Sequence, residues 1–180
     1  MRILKDNCVG LIIDIQERLL PHMFEKETIL ANNEILIKGL QILDVPVLIS
    51  EQYPKGLGVT VEPVKTLFGT FQPFEKVTFS CCDDKAIEAA LRQTSKKYVI
   101  ITGIEAHVCV LQTALDLLQS GFIPVVVEDC VSSRKANDKK IALARIEKAG
   151  GIITTCESIL FELTRAAGTD AFKAISKLVK

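Results

Sequence analysis

The chain has 180 residues, the length of one domain, and a chain of this size buries roughly 70% of the surface that its unfolded form exposes. Hydrophobic residues make up 48% and charged residues 24%, which excludes a disordered or fibrous polymer. Lysine plus arginine and aspartate plus glutamate balance at 22 each, so no net field gathers nucleic acid or an anionic membrane, and neither is expected as a partner.

The first residues lead through Lys5, Asp6 and Asn7 into CVGLIID (8–14), a short apolar run that fits a strand and neither a signal-peptide core nor a membrane span. The reading therefore expects residence in the cytosol or in a soluble organelle lumen. Ile29, Ile35, Leu36, Leu40 and Leu43 then recur at helical spacing, and VPVLIS (45–50) reads as a second strand. QYPKGLGVT (52–60) carries Pro54, Gly56 and Gly58 directly after that strand, a natural rim for a pocket. FQPFEKVTF (71–79) is a weaker strand that Pro73 places near an edge.

Ile87, Ala90 and Leu91 mark another helix, YVIITG (98–103) a strand, and 107–119 a helix closed by Ser120-Gly121. IPVVVED (123–129), a helix over 137–149, GIITT (151–155) and a last helix over 169–179 complete the series. These strand runs are apolar at successive positions, the pattern of strands covered on both faces. With helices between them they predict an α/β chain with a doubly wound, mostly parallel sheet and helices on both faces. No repeat or polar linker divides residues 1–180, so one domain is expected. The basic run Arg134, Lys135, Lys139 and Lys140 reads as a solvated helix start. The apolar residues Phe161, Leu163, Phe172, Ile175 and Leu178 offer a surface for self-association.

Ligands of such sheets bind at the carboxyl ends of the strands. Three polar residues stand there: Asp14 closes the first strand, Lys76 lies in the third, and Cys109 follows the fourth. Taken singly, Asp14 also reads as a helix cap and Lys76 as a solvent-facing residue of an edge strand. Cys109 opens a helix, where the N-terminus supplies free N–H groups and is expected to lower a thiol pKa. Of the other cysteines, none with CxxC spacing, Cys8, Cys130 and Cys156 read as structural thiols in a reducing compartment, and so do the adjacent Cys81 and Cys82, although such a vicinal pair can also bind metal or form a strained disulfide. His107 stands two residues before Cys109, a spacing that points the two side chains apart and disfavours a Cys-His dyad. Gln16, Gln52 and Tyr53 follow strand ends and are candidate substrate contacts.

LIIDIQ (11–16), FEKVTFS (74–80), TGIEAHVCVLQTALDLLQSGF (102–122) and VEDCVSSR (127–134), in that order and spacing, resemble the isochorismatase-like cysteine hydrolases, the group that includes nicotinamidases and N-carbamoyl amide hydrolases. The resemblance implies a six-stranded parallel sheet in the order 3-2-1-4-5-6. It implies a triad of Asp14, Lys76 and Cys109, a cis peptide between Ile104 and Glu105, and an oxyanion hole made by the backbone N–H groups of Glu105 and Cys109. The implied reaction is hydrolysis of a small amide or carbamoyl substrate through a Cys109 thioester, in a homo-oligomer. The chain departs from the nicotinamidase pattern: Glu51 and Tyr53 stand where an Asp-x-His motif holds metal, and His22 and His107 are the only histidines. No metal and no other cofactor is expected, and nicotinamide is disfavoured as substrate. Isochorismatases proper lack the cysteine, so the likeness is to the small metal-free branch. The rival from another class is a non-catalytic oligomeric scaffold of the same fold. Nucleotide binding is disfavoured, because DIQERL rather than GxGxxG follows the first strand.

Overall fold

In the computed structural model, which describes residues 2–180, the first apolar run forms β1 (Cys8–Ile13), buried along its whole length. There follow α1 (Lys26–Ile42), β2 (Val47–Gln52), two single turns α2 (Pro54–Leu57) and α3 (Glu62–Lys65), β3 (Phe74–Lys76), α4 (Lys85–Gln93) and β4 (Tyr98–Ile104). A π-helical turn over Ala106–Val110 runs into α5 (Leu111–Gln119), and the chain ends with β5 (Ile123–Ser132), α6 (Ala136–Ala149), β6 (Ile152–Thr154), α7 (Cys156–Thr164) and α8 (Asp170–Leu178). The six strands make one parallel sheet in the order β3-β2-β1-β4-β5-β6.

The pleat explains the unbroken apolar runs. Val9, Leu11 and Ile13 of β1 join Val99, Ile101 and Val126 in a core closed by Ile87 and Leu91 of α4, Leu117 of α5 and Ile146 of α6. Cys8, Ile100, Val125 and Val127 point to the opposite face, where Leu36 and Leu40 of α1, Ile159 and Leu160 of α7 and Ile175 of α8 cover them. The side chains of the central strands β1 and β4 are therefore taken from water on both faces. The strand order reverses between β1 and β4, which opens a crevice at their carboxyl ends.

At that crevice Gly103 pairs with Ile13 at φ +116°, and a Cβ on it would meet the Ile13 carbonyl oxygen at 2.0 Å. Only glycine lets β4 approach β1 so closely just before Asp14 and Glu105. The next peptide, Ile104–Glu105, is cis.

Four features differ from the sequence reading. The third strand shrinks to three residues, because beyond Lys76 the chain turns so that Val77 is 77% exposed. β5 runs on to Ser132 past a register shift opposite Ile101–Gly103. In this shifted stretch Glu128 reaches Lys139 at 2.7 Å and Asp129 accepts from the Cys156 N–H at 2.8 Å, so Lys139 is buried and paired rather than part of a solvated run. The α7 segment is a helix whose Ile159, Leu160 and Leu163 are buried. Two of the C-terminal apolar residues, Leu163 and Ile175, lie in the core, and Phe161 packs on Phe172 with ring centres 6.1 Å apart. Phe161, Phe172 and Leu178 are half-buried and leave part of the expected surface open. Among the described residues no helix is long and apolar enough to cross a membrane.

The Gly103 contact makes a direct prediction. Gly103→Ala is expected to lower the unfolding free energy by at least ~2 kcal/mol in urea denaturation, from the left-handed φ and the backbone collision together.

Candidate active site

Asp14 is the first residue beyond β1 and adopts a left-handed φ of 53°. Its backbone N–H donates to the Ser50 carbonyl at 3.2 Å. One carboxylate oxygen, Oδ2, accepts from Lys76 Nζ at 2.7 Å and the other, Oδ1, accepts from Ser50 Oγ at 2.8 Å. Both side chains of the Asp14–Lys76 pair are wholly shielded from solvent. Asp14 is therefore not a helix cap, and Lys76 does not face solvent from its edge strand.

The surroundings of Lys76 explain how an ammonium stays charged in such a place. Besides Asp14, its Nζ donates to Gln52 Oε1 at 2.7 Å and toward the Thr78 and Phe79 carbonyls at 3.2 Å each. Four protein acceptors share three N–H bonds, so no proton is left over for a ligand. Burial pulls the Lys76 pKa down, but the charge of Asp14, with smaller contributions from Cys109, Cys81 and the Asp14 hydrogen bond, outweighs it and the net shift is upward.

Cys109 sits on the π-helical turn and is 6% exposed. Its thiol is pushed well above the ordinary value, first by burial and then by the Asp14 charge and hydrogen bond, with Lys76 opposing. The expected lowering by the helix N-terminus is thus overruled. A helix end contributes ~0.3–1 kcal/mol, less than one pKa unit, and loses to desolvation beside a carboxylate. An ammonium paired with a carboxylate thus stands beside a thiol that burial and Asp14 hold toward its protonated form.

Two members of this cluster were not foreseen. Ser50 ends the second apolar run, at the strand-end position that singled out Asp14, and its type alone gave no further signal. Cys81, read as structural, is fully buried; its Sγ lies 3.7 Å from Ser50 Oγ and its N–H donates to Thr113 Oγ1 at 2.9 Å. Its thiol is pushed up to about 11, chiefly by burial, with Lys76 opposing.

The three expected substrate contacts separate. Gln16 is fully buried; its Nε2 donates to the Gln52 and Gly58 carbonyls at 3.0 and 2.6 Å, and its Oε1 accepts from the Gln52 N–H at 2.7 Å. These bonds lock the exits of β1 and β2 together and leave Gln16 nothing to offer a substrate. Gln52 turns its Oε1 to Lys76 and its Nε2 to the Val77 carbonyl at 2.8 Å, so it holds the ammonium instead of reaching outward. Tyr53 alone is exposed, at 53%, on a cavity of about 330 Å³ with Pro54, Lys55, Val77 and Asp84.

Glu105 precedes the turn that carries Cys109, and its carboxylate accepts from Arg134 at 3.0 Å. His107 Nδ1 pairs with Ser133 Oγ at 2.9 Å, on the β5 side, so it is no partner of Cys109. A larger cleft of about 420 Å³ between Phe24 and α6 contains none of the triad positions, and its Lys139 is already paired with Glu128. The residues present do not fit the metal of nicotinamidases. Glu51 spends Oε1 on the Thr60 N–H at 2.6 Å, Tyr53 offers no imidazole, and among the described residues no three His, Cys, Asp or Glu side chains converge.

The Isochorismatase domain model matches residues 8–158. Isochorismatase family protein 1B of Dictyostelium discoideum is 38% identical over 184 aligned residues, covering 99% of this chain and 89% of that protein. Among solved structures, one described as MAR1 ribonuclease from Caenorhabditis elegans superposes with a TM-score of 0.93 at 38% identity, covering 99% of this chain and 92% of that one. YcaC from Pseudomonas aeruginosa, with hexane-2,5-diol and covalent acrylamide, superposes with a TM-score of 0.91 at 26% identity, covering 98% and 91%.

The charge balance around the thiol sets a signed prediction. Asp14 raises the Cys109 pKa and Lys76 lowers it. Asp14→Asn should therefore enlarge the thiolate fraction and speed iodoacetamide alkylation of Cys109 near neutral pH by ~10-fold or more, whereas Lys76→Met should slow it. Peptide mapping of the alkylated cysteine reads both.

Proposed function

The chain belongs to the isochorismatase family, whose fold supports a hydrolase role, and from that premise we propose that it hydrolyses a small amide or carbamoyl compound through a thioester on Cys109. The observation that carries this reading is a buried carboxylate, Asp14, held by the caged ammonium of Lys76 on one oxygen and by Ser50 on the other, close enough to Cys109 to push its thiol pKa up.

A thiol whose pKa lies above the ordinary range does not attack as a standing thiolate. Asp14 takes its proton as the sulfur bonds to the substrate carbonyl carbon, and Lys76 balances the charge that moves from carboxylate to sulfur. The carbonyl oxygen becomes an oxyanion, held by the backbone N–H groups of Glu105 and Cys109. Asp14 then gives the proton to the nitrogen, the C–N bond breaks, and ammonia or an amine departs. Water loses a proton to Asp14 and attacks the thioester; the C–S bond breaks and the thiol is re-formed as the acid leaves. One water is consumed and no redox partner or cofactor enters.

Lys76 has no free N–H, so substrate recognition falls to the backbone donors and to the exposed rim that includes Tyr53. The covalent acrylamide in the Pseudomonas protein is consistent with this class of ligand, since acrylamide is a small primary amide and an electrophile. Cytosolic or lumenal residence and self-association belong to the same reading. The six free cysteines support a reducing compartment, and the family resemblance supports a homo-oligomer. RNA cleavage is a second reading, raised by the description of the C. elegans structure. The charge balance of 22 against 22 gives it no electrostatic support.

The test is ammonia release from primary amides, ureides and carbamoyl amines, with RNA cleavage run alongside. Turnover of at least one small compound is expected, falling at least ~1,000-fold in Cys109→Ala. RNA cleavage that survives in Cys109→Ala would contradict the cysteine mechanism, and inertness toward every substrate would favour the scaffold.

A further inference from the structure

We propose that Ser50, oriented by Cys81, is the positioning residue that aims Asp14 at the thiol; this rests on the reading of Asp14 as the base of a cysteine hydrolase. A base must lie within hydrogen-bond reach of the proton it takes, and a displacement of ~1 Å costs about a hundredfold in rate. Lys76 anchors one oxygen of Asp14, and an anchor at one oxygen leaves the carboxylate free to swing about it. Ser50 removes that freedom. Its hydroxyl donates to Oδ1 at 2.8 Å, while its carbonyl accepts the Asp14 N–H at 3.2 Å, so side chain and backbone of one residue grip both ends of the aspartate. The parallel register that sets Ile13 beside Ser50 delivers this grip.

A serine hydroxyl is both donor and acceptor and rotates to suit its neighbours, so something must choose its direction. Cys81 does. Its thiol can donate to Ser50 Oγ at 3.7 Å, occupying a lone pair and leaving the Ser50 proton for Asp14. Cys81 is itself fixed by the bond from its N–H to Thr113 Oγ1 on α5, at 2.9 Å. The string Thr113, Cys81, Ser50, Asp14 is buried throughout, with none of the four more than 0% exposed. Ser50 and Cys81 therefore act through Asp14 and touch no substrate. Among the cysteines, this gives Cys81 a part in the site that is distinct from nucleophilic attack.

The measurement is hydrolysis of 4-nitrophenyl acetate, an activated acyl donor that needs no knowledge of the natural substrate. Ser50→Ala should lower kcat by ~10- to 100-fold with KM within about twofold, and Ser50→Thr, which keeps the hydroxyl, should recover most of it. Cys81→Ala should lower kcat by about threefold or more, and Cys81→Ser, which keeps a donor, should restore it. This second pair decides the matter if Ser50→Ala does not fold, and Cys109 alkylation no slower than in the wild type excludes a blocked thiol in a folded variant. Ser50→Ala with wild-type kcat, or Cys81→Ser as impaired as Cys81→Ala, overturns the inference and leaves the parent reading intact. No Cys109-dependent turnover in the wild type of this ester or of any compound in the amide panel removes the parent reading, and this inference with it.

Discussion

The ion pair between Lys76 and Asp14, 2.7 Å long and wholly shielded from solvent, constrains everything around it. Two bare charges in such a place would each cost several kcal/mol, and removing one partner of a buried pair typically costs ~3–5 kcal/mol because the other charge is stranded. The fold compensates with hydrogen bonds to each. Gln52 and two carbonyls of the turn after β3 surround the ammonium, and Ser50 takes the second carboxylate oxygen. That demand accounts for the brevity of β3: the chain must leave the sheet after Lys76 to bring the Thr78 and Phe79 carbonyls back to Nζ.

The pair also sets the state of the cysteine. Carboxylate and ammonium cancel one another, so a thiolate beside them would be a third, uncompensated charge in a place with little water. The thiol stays protonated until a proton acceptor and a developing oxyanion hole act together. Such a site is quiet without substrate, which protects a nucleophilic sulfur from incidental chemistry. It contrasts with sites where the cysteine stands ready as half of an ion pair.

Much of this was legible in the sequence. Continuous apolar runs gave a parallel sheet covered on both faces, and polar residues at the ends of those runs marked Asp14, Lys76 and Cys109. The same strand-end signal applied to Ser50, Gln16 and Gln52, yet their roles depend on which neighbour each side chain meets, and neighbours on adjacent strands are far apart in sequence. Gln16 and Gln52 therefore looked outward on paper and turned out to serve the backbone and the lysine. The helix α7 went unread because its N–H cap comes from Asp129, on a different element. Lys139 likewise looked solvated until the shifted stretch of β5 supplied Glu128. The family pattern gave the strand order and the cis peptide, neither of which local periodicity encodes.

The most direct measurement is the ultraviolet absorbance of thiolate as a function of pH, taken as the difference between the ligand-free protein and Cys109→Ala. The raised thiol pKa requires that the ionisation midpoint of Cys109 lie above 9.0, the ordinary value for the group, so that less than half of it is thiolate at that pH. A Cys109 thiolate present near neutral pH would contradict it, and would mean that Lys76 pairs with the sulfur rather than with Asp14.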